Sequence, residues 1–297
     1  MDRIKIPNKI FTYAGGGLGD IYYLCLMDNW AYFKDIKKQN PKTKIHAVLS
    51  SPNPLSQEVM EYNPYIDKLD YIKPNDRRGM LLTSFKQKGY TDIAKIDKKK
   101  LKKDHTIYTN KEDKIFIKNI QEQVGSKYIV IHPYSNDALK KTIAGQRKSR
   151  YVFPVQEYFS LTEKLIKKGY KIVILGGNAR NPKLLKEEFL YKNDNIINLI
   201  DKTNARTAAN VIIQANGFIG TYSCFIGIAW WYKTKSFLLA PNEEWGKKMT
   251  WKQRIESWHR WAWATKEKQN KILYLPAIEN AKSDLYEKTR QQIINWF

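Results

Sequence analysis

Four short apolar runs between Gly125 and Pro241 constrain the fold more than any other feature of this chain. Tyr128-Ile129-Val130-Ile131 ends in His132-Pro133, and Lys171-Ile172-Val173-Ile174-Leu175 ends in Gly176-Gly177. Gly217-Phe218-Ile219-Gly220 leads into Thr221-Tyr222-Ser223, and Ser236-Phe237-Leu238-Leu239 completes the set. Helix-like segments lie between them. Apolar runs of strand length that alternate with helices describe a parallel sheet covered on both faces. Such sheets take ligands beyond the carboxyl ends of their strands. Those ends carry His132, the Gly176-Gly177 pair and the Thr221-Tyr222-Ser223 turn, which predicts a nucleotide-type ligand there.

The start of the chain has a similar plan. Ile10 to Ala14 reads as a strand, Gly15-Gly16-Gly17-Leu18-Gly19-Asp20 follows, and Ile21 to Lys34 has the apolar content of a helix. Glycine lets backbone N–H groups approach a ligand closely, and a helix N-terminus favours negative charge. The stretch is equally compatible with a tight strand-to-helix turn that binds nothing. It matches neither the dinucleotide fingerprint nor the P-loop. Asp20 also has two readings. An acid at a helix start stabilises it by about 0.5–2 kcal/mol through capping and the dipole. The same carboxylate could serve as general base toward an acceptor hydroxyl.

Further strands are expected at 44–49, 68–72 and 92–95, with helices at 56–62, 83–89 and 110–124. The Gly125-Ser126 break places a domain boundary there, giving domains 1–124 and 125–275. The second half continues with an amphipathic helix from Val155 to Lys168, closed by Gly169 as its C′ residue. A helix starting at Pro182 and a strand at 196–200 follow. Next come a helix capped by Asn204 or Thr207 and an apolar helix after Ser223. Leu285 to Phe297 reads as a final helix.

The formal net charge is +23, from 52 Lys+Arg against 29 Asp+Glu. Such an excess attracts nucleic acid, acidic glycolipid or an anionic membrane surface. A composition bias toward Lys, Asn and Ile explains it equally simply. The run DKKKLKKD at 97–104 reads as a solvated face or as a polyanion contact. The loop from Tyr134 to Arg150 is the densest cationic segment directly after a core strand. It carries Lys140, Lys141, Arg147, Lys148 and Arg150, cations suited to a diphosphate and to the charge that builds on a departing one. A surface loop without a ligand is the alternative. Trp245, Trp251, Trp258, Trp261 and Trp263 lie among Lys and Arg. Packing anchors beside snorkelling cations account for most of them, and base stacking is the other reading.

Cys25 and Cys224 sit in apolar surroundings without metal-ligand spacing, so neither a disulfide framework nor a structural zinc site is expected. No signal-peptide h-region and no long apolar span is apparent, which predicts a cytoplasmic protein without integral membrane association.

Three stretches together carry a family resemblance: YAGGGLGDIYYLCLMDNW; IVIHPYSN followed by RKSRYVFPVQEYFSLTEKLIKKGYKIVILGG; and NIINLIDKTNARTAANVIIQANGFIGTYSCFIGIAWW. They resemble the heptosyltransferase-like glycosyltransferases over most of residues 10–240. The resemblance implies an α/β chain of GT-B type, with two Rossmann-like domains facing a cleft. It also implies a C-terminal helix, residues 276–297, that returns to the first domain. Members invert at the anomeric carbon, need no obligate metal and use a nucleotide sugar as co-substrate, so no cofactor is expected. The resemblance makes Asp20 the catalytic base and puts Gly16, Gly17 and Gly19 on the acceptor side. Donor binding falls to His132, Lys141, Arg147, Lys148, Arg150, Gly176, Gly177, Tyr222, Ser223 and Cys224.

The family's Asp-Ser/Thr-Gly-x-x-His pattern departs here. Tyr222, Cys224 and Gly227 stand where the acid, the glycine and the histidine belong, so side-chain contacts to the sugar must differ from those made to ADP-heptose. The large positive charge points to a polyanionic acceptor. A modified base in DNA, as in phage DNA glycosylation in the host-cell cytoplasm, is favoured over lipopolysaccharide core, the family's usual acceptor. A non-catalytic nucleic-acid or glycan-binding protein on a decayed transferase scaffold is the reading from another class.

Overall fold

The computed structural model describes residues 5–15, 18–50, 55–72, 78–133, 153–176, 193–242, 250–257, 263–276 and 283–297. Contacts divide the chain into two compact units, Met1–Lys111 and Glu112–Phe297.

The first unit is built on β1 (Lys9–Gly15), β2 (Lys44–Ser50), β3 (Lys68–Tyr71) and β4 (Thr91–Asp92), in the order β3-β2-β1-β4. All pairings are parallel. Ile10, Phe11, Ile45, Ala47, Val48 and Leu49 are buried, as the apolar runs predict. The helix expected from Ile21 to Lys34 is instead α1 (Leu18–Met27), a 3₁₀ turn at Asn29–Tyr32 and α2 (Phe33–Gln39). Trp30 lies in that turn, and its indole N–H donates to Thr12 Oγ1 of β1 at 2.8 Å, tying the bend to the sheet. The helix expected at 56–62 is only one turn, α3 (Leu55–Glu58), whereas α4 (Arg78–Gln87) starts earlier than its apolar content suggests.

The second unit opens with α5 (Lys111–Val124), so this helix does not close the first domain as the glycine break suggested. Ile117, Ile120 and Val124 are buried, and Gly125 ends the helix at φ +67°. Its sheet comprises β5 (Tyr128–His132), β6 (Lys171–Ile174), β7 (Ile196–Asn198), β8 (Gly217–Thr221), β9 (Ser236–Pro241) and β10 (Asn270–Leu275). The order is β10-β9-β8-β5-β6-β7 and every pairing is parallel. Counted from β5, this is the doubly wound Rossmann order, with the chain reversing direction between β5 and β8. β10 has no counterpart among the expected strands, because Lys271-Ile272-Leu273-Tyr274-Leu275 follows a Trp- and Lys-rich stretch without a turn signal.

After α5, the α-helices among the described residues of this unit are α6 (Val155–Lys167), α7 (Ala205–Ile213), α8 (Cys224–Trp231), α9 (Trp251–Ser257) and α10 (Ser283–Trp296). Phe153, Tyr158, Leu161 and Leu165 pack with Ile129, Ile131, Ile172 and Ile174 in one core. Gly169 ends α6 at φ +83°, the left-handed C′ position expected of it. Trp230 is buried and donates to Ser236 Oγ at 2.9 Å, a packing anchor rather than a ligand platform.

Tyr286 and Ile293 of α10 belong to the core of the second unit, Arg290 is ion-paired with Glu157, and Lys168 Nζ donates to Ile294 O at 2.7 Å. The apolar face of α10 lies against α6 and its sheet.

Candidate functional site

The second unit brings His132, Tyr222, Ser223 and Cys224 to the carboxyl ends of β5 and β8, where the strand order reverses. His132 is the last residue of β5 and pairs with Gly220 of β8. One turn later Ser223 caps α8, its Oγ accepting from Phe225 N–H at 3.2 Å. The same Oγ lies 3.2 Å from His132 Nδ1, so one hydroxyl joins the end of β5 to the start of α8. The His132 ring meets Phe225 edge-on, with centroids 4.9 Å apart. Burial pushes its imidazolium pKa down to about 3, which leaves the ring neutral at physiological pH. A neutral ring, a hydroxyl and the positive end of α8 together make a polar but uncharged corner that suits an anionic group.

Gly220 permits this closeness. A Cβ there would stand 2.9 Å from His132 O and 2.9 Å from the Phe218 ring. Glycine within a strand marks close backbone approach, so Gly217-Phe218-Ile219-Gly220 did contain the signal, which the sequence reading used only to place a strand. Phe225, which packs on His132, had no such signal.

Tyr222 is buried and Cys224 is the first residue of α8, half-buried. Gly227 is buried inside α8 and offers no side chain where the family pattern has histidine. Gly176 follows β6, where a Cβ would touch Ile200 at 3.5 Å in ordinary contact. Gly177, Lys141, Arg147, Lys148 and Arg150 lie outside the described residues, as does the rest of the cationic loop.

Beyond the end of β7, Asn204 caps α7 by accepting from Thr207 N–H at 2.8 Å, the first of the two expected caps. Its amide donates to Asp113 Oδ1 at 2.6 Å, and Arg206 Nε donates to Asp113 Oδ2 at 2.6 Å. The Asp113 and Arg206 side chains are only 3% and 5% exposed, so α5 is fastened to α7 by a buried ion pair. Sequence reading missed it, because 93 residues separate the partners.

In the first unit, β1 is a central strand and its carboxyl end leads to α1. Gly19 and Asp20 are in the first turn of α1, both half-buried. Gly16 and Gly17 lie outside the described residues. A Cβ on Gly15 would stand 3.1 Å from the Tyr13 hydroxyl and 3.4 Å from Ser50 O, which accounts for that glycine by packing. Asp20 thus sits beyond a strand's carboxyl end at a helix N-terminus. That position serves a helix-stabilising acid and a ligand-facing carboxylate alike. Among the described residues no cluster of three His, Cys, Asp or Glu side chains could hold a metal ion. None of their helices is long and apolar enough to cross a membrane.

Two tandem Rossmann-like units with the sheet orders given above define a fold of the GT-B glycosyltransferase type. E. coli ADP-heptose lipopolysaccharide heptosyltransferase II has this fold, at TM-score 0.60 and 13% identity over 97% of each chain. The E. coli heptosyltransferase WaaC with ADP-2-deoxy-2-fluoro heptose matches at TM-score 0.59 and 10% identity, over 97% of this chain and 99% of that one. A glycosyltransferase family 9 protein from Veillonella parvula matches at 0.57 and 12%, over 99% and 96%. No family model matches the sequence, and no curated protein sequence does either.

Proposed function

We propose that this chain is an inverting glycosyltransferase that takes a sugar from a nucleotide-sugar donor on its second unit and transfers it to an acceptor hydroxyl. The observation that carries this reading is the corner formed by His132, Ser223 and the start of α8 at the strand-order reversal. In this fold class that is the place for a nucleotide's phosphates. The backbone at Ser223-Cys224 and the Lys141–Arg150 segment hold the diphosphate as it leaves, and Asp20 accepts the proton of the attacking hydroxyl. The new glycosidic bond forms as the bond from the anomeric carbon to the diphosphate oxygen breaks, with inversion. Tyr222 and Gly227 alter the sugar end of the site, so the donor's sugar is the property most open to change.

For the acceptor we favour an anionic saccharide of the lipopolysaccharide-core type over a modified DNA base. Net charge alone prompted the DNA reading. Two of the similar structures are heptosyltransferases, one of them a lipopolysaccharide heptosyltransferase.

The test is a donor screen, ADP-heptose included, read by mass spectrometry on phosphorylated core oligosaccharide and on hydroxymethylated duplex DNA. Transfer to the oligosaccharide is expected. Transfer to DNA alone would reverse the choice of acceptor, and turnover of no donor would favour a binding protein on a decayed scaffold. Asp20→Asn should abolish transfer while donor affinity stays within about twofold, because a base acts on the acceptor proton. Strong residual turnover in that variant would exclude the role.

A further inference from the structure

The first unit displays a face on which lysines outnumber acids. Residues 97–104 run beside α2, and Lys99, Lys100, Lys102 and Lys103 are exposed, as are Lys34 and Lys38 of α2. The segment is held in place. Leu101 is buried in its middle, and its N–H donates to Lys98 O at 3.0 Å. The N–H of Lys102 donates to Asp35 Oδ2 at 3.1 Å, and that of Asp104 donates to Ala31 O at 2.7 Å.

The same anchors engage the acids of this face. Asp35 accepts from Lys102 N–H and from the Gln39 amide, and Asp97 accepts from Lys99 N–H. Asp104 accepts from the hydroxyls of Thr106 and Tyr108, with Lys34 Nζ at 3.9 Å. The carboxylates are held by the loop's own backbone and neighbours and keep their charge, and the exposed lysines outnumber them on this face.

We propose that this face docks the chain on the surface of an anionic phospholipid bilayer. Every cation in residues 28–40 and 93–105 is lysine, with no arginine. Lysine is a strongly hydrated point charge that suits a diffuse anionic plane, whereas forked phosphate recognition and base stacking call on arginine and on exposed aromatics. Lysines held near such a surface add attraction in proportion to their number. The proposal deepens the reading of an anionic glycolipid acceptor, since such an acceptor sits in a membrane.

Cosedimentation of the full chain with vesicles tests it without donor or acceptor, so its outcome is separate from that of the transfer assay. Binding is expected to phosphatidylcholine vesicles containing phosphatidylglycerol and not to phosphatidylcholine alone, and it should be lost in high salt. The triple variant Lys99→Gln, Lys100→Gln, Lys102→Gln should bind about a hundredfold more weakly, at about fivefold per lysine. A control with Lys86→Gln, Lys88→Gln and Lys164→Gln removes the same charge elsewhere and should bind like wild type. All these side chains are exposed, and thermal unfolding checks that each variant is folded. Equal losses in the two triples would overturn the proposal in favour of diffuse net charge. Wild-type binding by the first triple would overturn it outright. Displacement of the vesicles by duplex DNA at matched charge would assign the face to nucleic acid instead.

Discussion

His132 makes the stability of the second unit depend on pH between its folded and its ordinary pKa. The ring is 4% exposed, and burial holds its pKa at about 3 against an ordinary value of 6.5. Between those values the unfolded chain binds a proton that the folded chain does not, so stability rises with pH. The contribution is complete above pH 6.5 and is lost progressively as the pH falls toward 3. At pH 5 the loss from this one group comes to about 2 kcal/mol, and across the whole window it approaches about 5 kcal/mol. Asp67, Asp70 and Asp104 sit below the usual carboxylate range, burial being outweighed by their hydrogen bonds to Lys37, His46 and Tyr108. What they contribute is lost only as the pH falls below about 4, so measurements at pH 8 and pH 5 separate the effects. Urea unfolding at those two pH values should show wild type losing about 2 kcal/mol more than His132→Gln. The comparison uses the difference in pH dependence, not absolute stability, so the packing cost of the substitution drops out. Equal pH dependence in the two proteins would refute the claim that this histidine is buried in its neutral form, and the uncharged corner built on it.

Other substitutions read the same region. Asp113→Ala leaves Arg206 buried without its partner and should cost about 3–5 kcal/mol, whereas the double variant Asp113→Leu, Arg206→Met should recover much of that in urea titrations. Gly220→Ala forces a Cβ to 2.9 Å from the His132 carbonyl, so it should destabilise by about 1–3 kcal/mol and weaken donor binding measured by calorimetry. Chelator treatment should leave transfer unchanged in the donor assay, as the family resemblance implies; loss of turnover restored by added metal would contradict it.

Much of this fold was legible because parallel sheets buried on both faces write themselves as short apolar runs. β5, β6, β8 and β9 are found where those runs stand. The errors arose where tertiary contacts outrank local pattern. The bend between α1 and α2 depends on Trp30 reaching Thr12, a bond across 18 residues that no helical period announces. α5 lies before a glycine break but is fastened across 93 residues to α7, so a boundary read from the break misassigned it. α10 is amphipathic, and amphipathicity says that a helix packs without saying against what. Its partners Phe153 and Leu165 emerge only from the folded core.

The candidate site divides along the same line. His132 and Ser223 could each be named from the sequence, since both end or follow an apolar run. Their meeting could not, because it requires β5 and β8 to be neighbours although β6 and β7 lie between them in the chain. The strand-order reversal creates the pairing, and Gly220 allows it to close. This also bears on the departures at Tyr222, Cys224 and Gly227. The part of the corner proposed to face an anion rests on backbone geometry, a cap and a neutral ring, none of which needs the family's acid or histidine. The missing side chains fall on the part that would read a sugar. A phosphate site can therefore persist while sugar selectivity changes, and a donor screen varied in the sugar at constant nucleotide is the comparison to which this site should respond.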